Sequence, residues 1–136
     1  MTNLVRFGIA MERNLLDRFD GLIERRGFEN RSEALRDLIR RALDQEAWDA
    51  GKHVCATITL VYDHHVRELT ERLNELQHDF GDSIVSTLHV HLDHHHCMEV
   101  IACRGRARQL RQVSEKLLGT KGVLSGGIVA AAVPKP

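Results

Sequence analysis

The sequence predicts an α+β protein in two parts, a short β-α-α unit followed by a ferredoxin-like βαββαβ domain. Two observations carry this. The first 47 residues hold one alternating segment and two helical stripes, whereas from residue 53 onward the pattern runs strand, helix, strand, strand, helix, strand. Between them Trp48-Asp49-Ala50-Gly51-Lys52 breaks the stripe. The expected domains are therefore 1–47 and 53–136, with 48–52 as the linker.

In residues 5–11, Val5, Phe7, Ile9 and Met11 fall on one face of a strand and Arg6, Gly8 and Ala10 on the other. Leu15, Leu16, Phe19, Leu22 and Ile23 then recur at helical spacing, with Asn14 and Asp17 as a cap-like start and Gly27 as the stop. Asn30-Arg31-Ser32-Glu33 is a second capping signal, followed by the stripe Leu35, Leu38, Ile39, Ala42, Leu43. This strand has no second strand within residues 1–47 to bond with, so pairing with the same strand of another chain, in an intertwined dimer, is expected.

In the second part a strand runs from His53 through Tyr62, and Val66, Leu69, Leu73, Leu76 and Phe80 mark a helix ended by Gly81. Strands at 84–92 and 97–103 flank a polar tip, Asp93-His94-His95-His96, which reads as an exposed turn. Ala107, Leu110, Val113, Leu117 and Leu118 give a further helix, closed by Gly119 and Gly122. The last strand is Val123 to Val133.

The 136 residues carry 19 Lys+Arg against 19 Asp+Glu, so no overall basic excess announces nucleic acid. With 43% hydrophobic residues, two prolines and ten glycines, long disordered tracts are excluded. The apolar runs fall short of a bilayer span and the N-terminus lacks a signal-peptide layout, so a cytoplasmic protein with no membrane partner is expected. Three cysteines, an odd number, do not make a disulfide framework. All nine histidines lie between His53 and His96.

Within Thr87-Leu88-His89-Val90-His91-Leu92, period two gives Leu88, Val90 and Leu92 an apolar face and sets His89 and His91 side by side on the other. Cys97 opens the return strand of the hairpin, so two nitrogens and a sulfur converge, a donor set for zinc, copper or nickel. The bland reading makes the histidines solvent-facing and the cysteine a small buried hydrophobe. The joint spacing favours a metal site. Glu99 lies on the Cys97 side and is placed to accept a hydrogen bond from a ligating imidazole. His78, off the helical stripe, is a candidate fourth ligand or a surface histidine. Cys55 and Cys103 are read as core packing.

Residues 1–43 hold nine arginines against seven carboxylates, a weak footprint in which every cation is the residue best suited to phosphate and guanine. A paired ribbon displaying Arg6 fits a major groove, while the helix-two N-terminus near Arg31 and Ser32 meets a phosphate.

These residues resemble the NikR family of nickel-responsive transcriptional regulators over nearly the whole chain. Arg6-Phe7 and Asn30-Arg31-Ser32-Glu33-Ala34 resemble its ribbon-helix-helix DNA-binding domain. Tyr62-Asp63-His64 and Thr87-Leu88-His89-Val90-His91 with Cys97 and Glu99 resemble its ACT-type metal-binding domain. The resemblance implies one square-planar nickel(II) per subunit, held by His89, His91 and Cys97 of one chain and His78 of a neighbour. It also implies a homotetramer built as a dimer of dimers, a double-stranded DNA operator, and repression of nickel-uptake genes when nickel is bound. Glu33 and Asp37 match positions that help bind potassium in the family's DNA complex. The chain departs from the family at Gly8 and Ala10, where small hydroxyl residues are common, which puts the usual operator sequence in doubt. Two other classes stand beside this one, a zinc-dependent hydrolase with Glu99 as base and a metal storage or delivery protein. The N-terminal ribbon and helices have no purpose in either, so no catalytic residues and no small-molecule substrate are expected.

Overall fold

The computed structural model describes residues 3–133 of the chain. Two compact units are distinguished, Met1–Arg41 and Ala42–Pro136.

In the first unit, residues 3–12 belong to no hydrogen-bonded strand of the single chain and all are exposed. The strand expected at 5–11 is therefore absent from the isolated chain, because no second strand of the same chain lies beside it to satisfy its backbone. Helix α1 spans Arg13–Arg26 and ends on Gly27, whose φ of 72° is the left-handed conformation that closes a helix and suits glycine. Asn14 and Asp17 sit inside α1; its N-cap is Glu12, without a side-chain cap bond. Helix α2 spans Arg31–Asp49, and Asn30 caps it as expected, its Oδ1 accepting the Glu33 N–H at 2.9 Å. No residue of α1 is buried.

Trp48 and Asp49, expected in the linker, are the last residues of α2. The helix continues because Ala47 and Trp48 have somewhere to pack: both lie against the core of the second unit.

That second unit is a four-stranded antiparallel sheet of order β2-β3-β1-β4, with β1 at His53–Asp63, β2 at Ile84–His91, β3 at His96–Arg106 and β4 at Val123–Ala132. Helix α3 (Leu69–Asp79) follows β1, and α4 (Ala107–Leu118) follows β3. Leu69, Leu73, Leu110, Val113 and Leu117 join Val54, Ile58, Leu60, Tyr62, Cys97, Ile101 and Cys103 in one buried cluster on one face of the sheet. Helix α3 begins at Leu69 rather than Val66, because the chain first turns through 64–68 with Glu68 at a φ of 67°.

Gly126 on β4 is required by close approach, since a Cβ there would lie 2.1 Å from the Thr59 carbonyl oxygen. Cys103 is in the core, as expected; Cys55 is exposed on the other face, its thiol donating to the Ala131 carbonyl at 3.6 Å.

Candidate metal centre

The geometry starts from register. In the β2–β3 hairpin His89 pairs with Glu99 and His91 with Cys97, so all four side chains share a face. Cys97 and Glu99 are buried, which makes this the core side of the sheet. The Leu88 face, which alternation alone would assign to the core, is the uncovered one: Leu88 is 60% and Leu92 50% exposed. The two histidines thus stand on the edge strand, on the core side of the sheet beside a buried thiol yet exposed themselves.

The Cys97 Sγ lies 3.4 Å from His91 Nδ1, and the His89 and His91 ring centroids are 5.2 Å apart. His89 Nδ1 lies 3.3 Å from Glu99 Oε1. Since a carboxylate only accepts, Nδ1 carries the hydrogen and Nε2 is left with the lone pair that a metal needs. Glu99 is itself fixed: Tyr62 donates its hydroxyl to Oε1 at 2.9 Å and Gln77 Nε2 donates to Oε2 at 3.0 Å. Thr87 Oγ1 in turn donates to Gln77 Oε1 at 2.8 Å. Burial, then the bond to Glu99, pushes the Tyr62 phenol well above its usual range, so it stays a donor. Burial also pushes the Cys97 thiol up, with the Glu99 carboxylate adding to the effect. A cation that takes the Cys97 sulfur as a thiolate ligand would have to displace that proton.

His64 completes the picture from the turn after β1. Its ligand nitrogen, one from His91 and the Cys97 sulfur lie within 4.8 Å of one another, so a single chain gathers three donors. The sequence left the role of His64 open, and only the resemblance-bearing Tyr62-Asp63-His64 pointed to it. Gln77 and Thr87 were not foreseen; the signal is that Gln77 precedes the outward His78 and so turns inward on α3. His78 itself is exposed near the end of α3 and joins no metal-ligating group among the described residues. These donors, the imidazoles of His64, His89 and His91 and one thiol, suit zinc, copper or nickel.

The hairpin tip is the polar turn expected. Asp93 Oδ1 accepts the N–H groups of His95 and His96 at 2.8 Å each, and Oδ2 lies 2.8 Å from His96 Nδ1. The His96 bond holds the Asp93 carboxyl far below the usual range.

The residues expected to touch DNA or potassium lie in the helices and the N-terminal segment. Arg6, Gly8 and Ala10 are exposed in the unpaired segment, and nothing approaches a Cβ built on Gly8. Ser32 is exposed in the first turn of α2. Arg31 is engaged by Asp20 through two 2.9 Å bonds, so a carboxylate already offsets its charge. Glu33 pairs with Arg36, and Asp37 with Arg41 at 2.8 Å. Glu33 and Asp37 are thus not gathered into an ion-binding group within one chain.

Residues 55–131 match the family described as NikR C terminal nickel binding domain, and residues 5–46 match the ribbon-helix-helix protein, copG family. The chain is 50% identical over 130 residues to a Geobacter sulfurreducens protein named for nickel-responsive regulation, covering 95% of this chain and 94% of that one. A Solibacter usitatus protein of the same name is 54% identical over 127 residues, covering 93% and 91%. Among solved structures, an uncharacterised Thermotoga maritima protein superposes with a TM-score of 0.52 at 18% identity, covering 58% of this chain and 98% of that one, a likeness of fold alone. With a nickel-binding half and a DNA-binding half both matched, the chain belongs to the NikR family of nickel-responsive transcriptional regulators, a family of regulators and not of enzymes.

Proposed function

We propose that this regulator represses nickel-uptake genes when nickel(II) is bound, one ion per subunit, acting in the cytoplasm on a double-stranded operator. His89, His91 and Cys97 of one chain and His78 of a neighbour hold the ion within a homotetramer made as a dimer of dimers. The observation that carries the reading is His89: its Nδ1 is committed to the buried Glu99, leaving Nε2 available beside His91 and the Cys97 thiol. Bound there, nickel supplies a bond between subunits and so a means of selecting one arrangement of DNA-binding units over another. Residues 1–47 form the DNA-binding part and 53–136 the metal-binding and tetramerisation part. Arg6, Gly8 and Ala10 face the major groove and Arg31 and Ser32 the phosphates, with Arg31 leaving Asp20 to do so. Glu33 and Asp37 take a potassium ion in the DNA complex.

Two features of the first unit support pairing with a second copy. Among the described residues of that unit Ala34 is the buried hydrophobic, while Val5 and Phe7 are 77% and 72% exposed. Phe7, Ile9, Met11, Leu16, Phe19 and Leu35 line an open apolar groove. Such a surface is covered when two chains interleave.

The test is nickel(II) titration of wild type and Cys97→Ala, followed by thiolate-to-metal absorption, with DNA binding measured against a duplex selected from a random pool, with and without nickel. Expected are one tight nickel per chain with a thiolate band, lost in Cys97→Ala, and tighter DNA binding with metal. Nickel binding unchanged by Cys97→Ala would overturn the assignment of the site, and equal DNA affinity with and without metal would overturn the switch. In mixed tetramers, His78→Ala is expected to weaken nickel binding at a hairpin contributed by another chain.

A further inference from the structure

One end of the second unit is strongly basic. Between Glu99 and Glu115 the chain carries Arg104, Arg106, Arg108 and Arg111 and no carboxylate. Strand β3 runs into α4 without a loop, so the four arginines follow one another round the corner from strand to helix, and all are exposed. We propose that this corner, together with Lys52, holds the phosphate backbone of duplex DNA, in a contact independent of base sequence and of nickel. The proposal rests on the DNA-binding role of the first unit and not on the assignment of the metal centre.

Several segments build the corner. The Ala107 N–H donates to the Lys52 carbonyl at 3.0 Å and His53 pairs with Arg106, which sets the exposed Lys52 against the start of α4. The Arg111 Cζ lies 5.0 Å from the centroid of the Trp48 ring, so the indole near the end of α2 holds the guanidinium while leaving it exposed. Trp48 is fixed in turn by packing on the core. Among the described residues neither Lys52 nor any of the four arginines pairs with a carboxylate, whereas Arg31, Arg36, Arg41 and Arg67 each do. Asp49 lines the same shallow cavity as Arg108 and Arg111, but its Oδ1 accepts the Gln45 amide at 2.9 Å. Asp44 is likewise engaged, its Oδ1 accepting the Ala132 N–H at 2.7 Å.

Cations spread over a linker, a strand end and two turns of a helix exceed what one phosphate can engage, and guanidinium forks match phosphate oxygens, so the fitting partner is a polyanion. The chain brings its own. Helix α2 leads from the DNA-binding half to this corner, and that tether keeps a bound duplex at high effective concentration. Cys97 lies near one end of β3 and Arg106 at the other, so at about 3.3 Å per residue the two are roughly 30 Å apart. No residue of the metal centre belongs to the corner, so its hold on DNA is the same with and without nickel.

Fluorescence anisotropy of the full chain on an arbitrary duplex, over a series of KCl concentrations and in both metal states, tests this. Combining Arg106→Gln, Arg108→Gln and Arg111→Gln is expected to weaken binding at low salt about tenfold or more and to flatten the slope of log K against log[salt] by roughly 3, with or without nickel(II). The corresponding triple lysine variant is expected to keep the wild-type slope, and both variants to develop the wild-type thiolate band with nickel. An unchanged slope in the glutamine variant, an equal loss in the lysine variant, or a loss seen only with nickel would overturn the proposal. A duplex selected from a random pool separates this contact from the ribbon: the glutamine variant weakens selected and arbitrary duplexes by the same factor, whereas Arg6→Ala weakens the selected one alone. A glutamine-variant loss confined to the selected duplex would contradict a sequence-independent contact; an Arg6→Ala without effect would sink the ribbon assignment and leave this one standing. Calorimetry with inorganic tripolyphosphate is expected to show no saturable site, and one that disappears in the glutamine variant would give the corner to a small polyanion instead of DNA.

Discussion

A carboxylate at 3% exposure is costly to bury unless donors surround it, and Glu99 has three, from Tyr62, Gln77 and His89. It holds the His89 ring with Nδ1 as the donor and Nε2 open to a metal. Glu99→Gln is therefore expected to lower nickel affinity about 10–100-fold, measured by competition with a chelator, while the far-ultraviolet circular dichroism stays that of wild type. Asp20 offers a different test at the same scale. The hydrogen bond from Arg31 lowers its carboxyl below the ordinary 3.8. Because the folded value is depressed, the pair's contribution is present above 3.8 and lost as pH falls through the lower folded value. Both groups are largely exposed, so the effect on stability is slight. An NMR titration is expected to give an Asp20 midpoint under 3.8, returning there in Arg31→Gln. If Arg31 turns to a phosphate, DNA binding is expected to return it as well.

Among the elements, the β1–β4 pair depends on one glycine. Gly126→Ala would drive a methyl into the Thr59 carbonyl and the Leu118 side chain, so the strand must move; a loss of at least about 1–3 kcal/mol is expected in thermal or urea unfolding. Much of this architecture was legible. The capping signal at Asn30, the Gly27 stop, and the hairpin that returns Cys97 opposite His91 are local patterns, and local patterns survive tertiary packing. What alternation does not say is which face of a strand the helices cover. In β2 the apolar set Leu88 and Leu92 points away from them, and the polar set points in because a buried Glu99 and Cys97 wait there. His64 escaped for a related reason: its place depends on a turn brought by the His95 carbonyl, 31 residues away in sequence. Helix α2 outran its predicted end because core contacts at Trp48 outweigh the weak break signal that follows.

The whole molecule divides its stability unequally. The second unit has its own cluster of buried side chains, whereas among the described residues of the first the buried hydrophobic is a single alanine. Burial at that level does not offset the ordering of some forty residues, so the proposed pairing with another chain is expected to hold the fold of the first unit. Dilution is expected to increase amide exchange in α1 while the fluorescence of Trp48, the sole tryptophan, which packs against the core of the second unit, stays constant. Phe7→Ser is expected to move that loss of protection to higher protein concentration and to weaken DNA binding, with nickel affinity per chain unchanged. Constant α1 protection across the dilution series would contradict the dependence on a second chain.

A core of one alanine also has a consequence for the order of events on the ribosome. The amino-terminal unit is synthesised first, yet it holds too little buried surface to fold on emergence, while the metal-binding unit can close as soon as its last strand is released. On the proposed pairing, the part made first is completed last, when two finished chains meet. On that pairing DNA binding is second order in newly made protein, and a cell making few copies would acquire folded second units before it acquires paired DNA-binding ones.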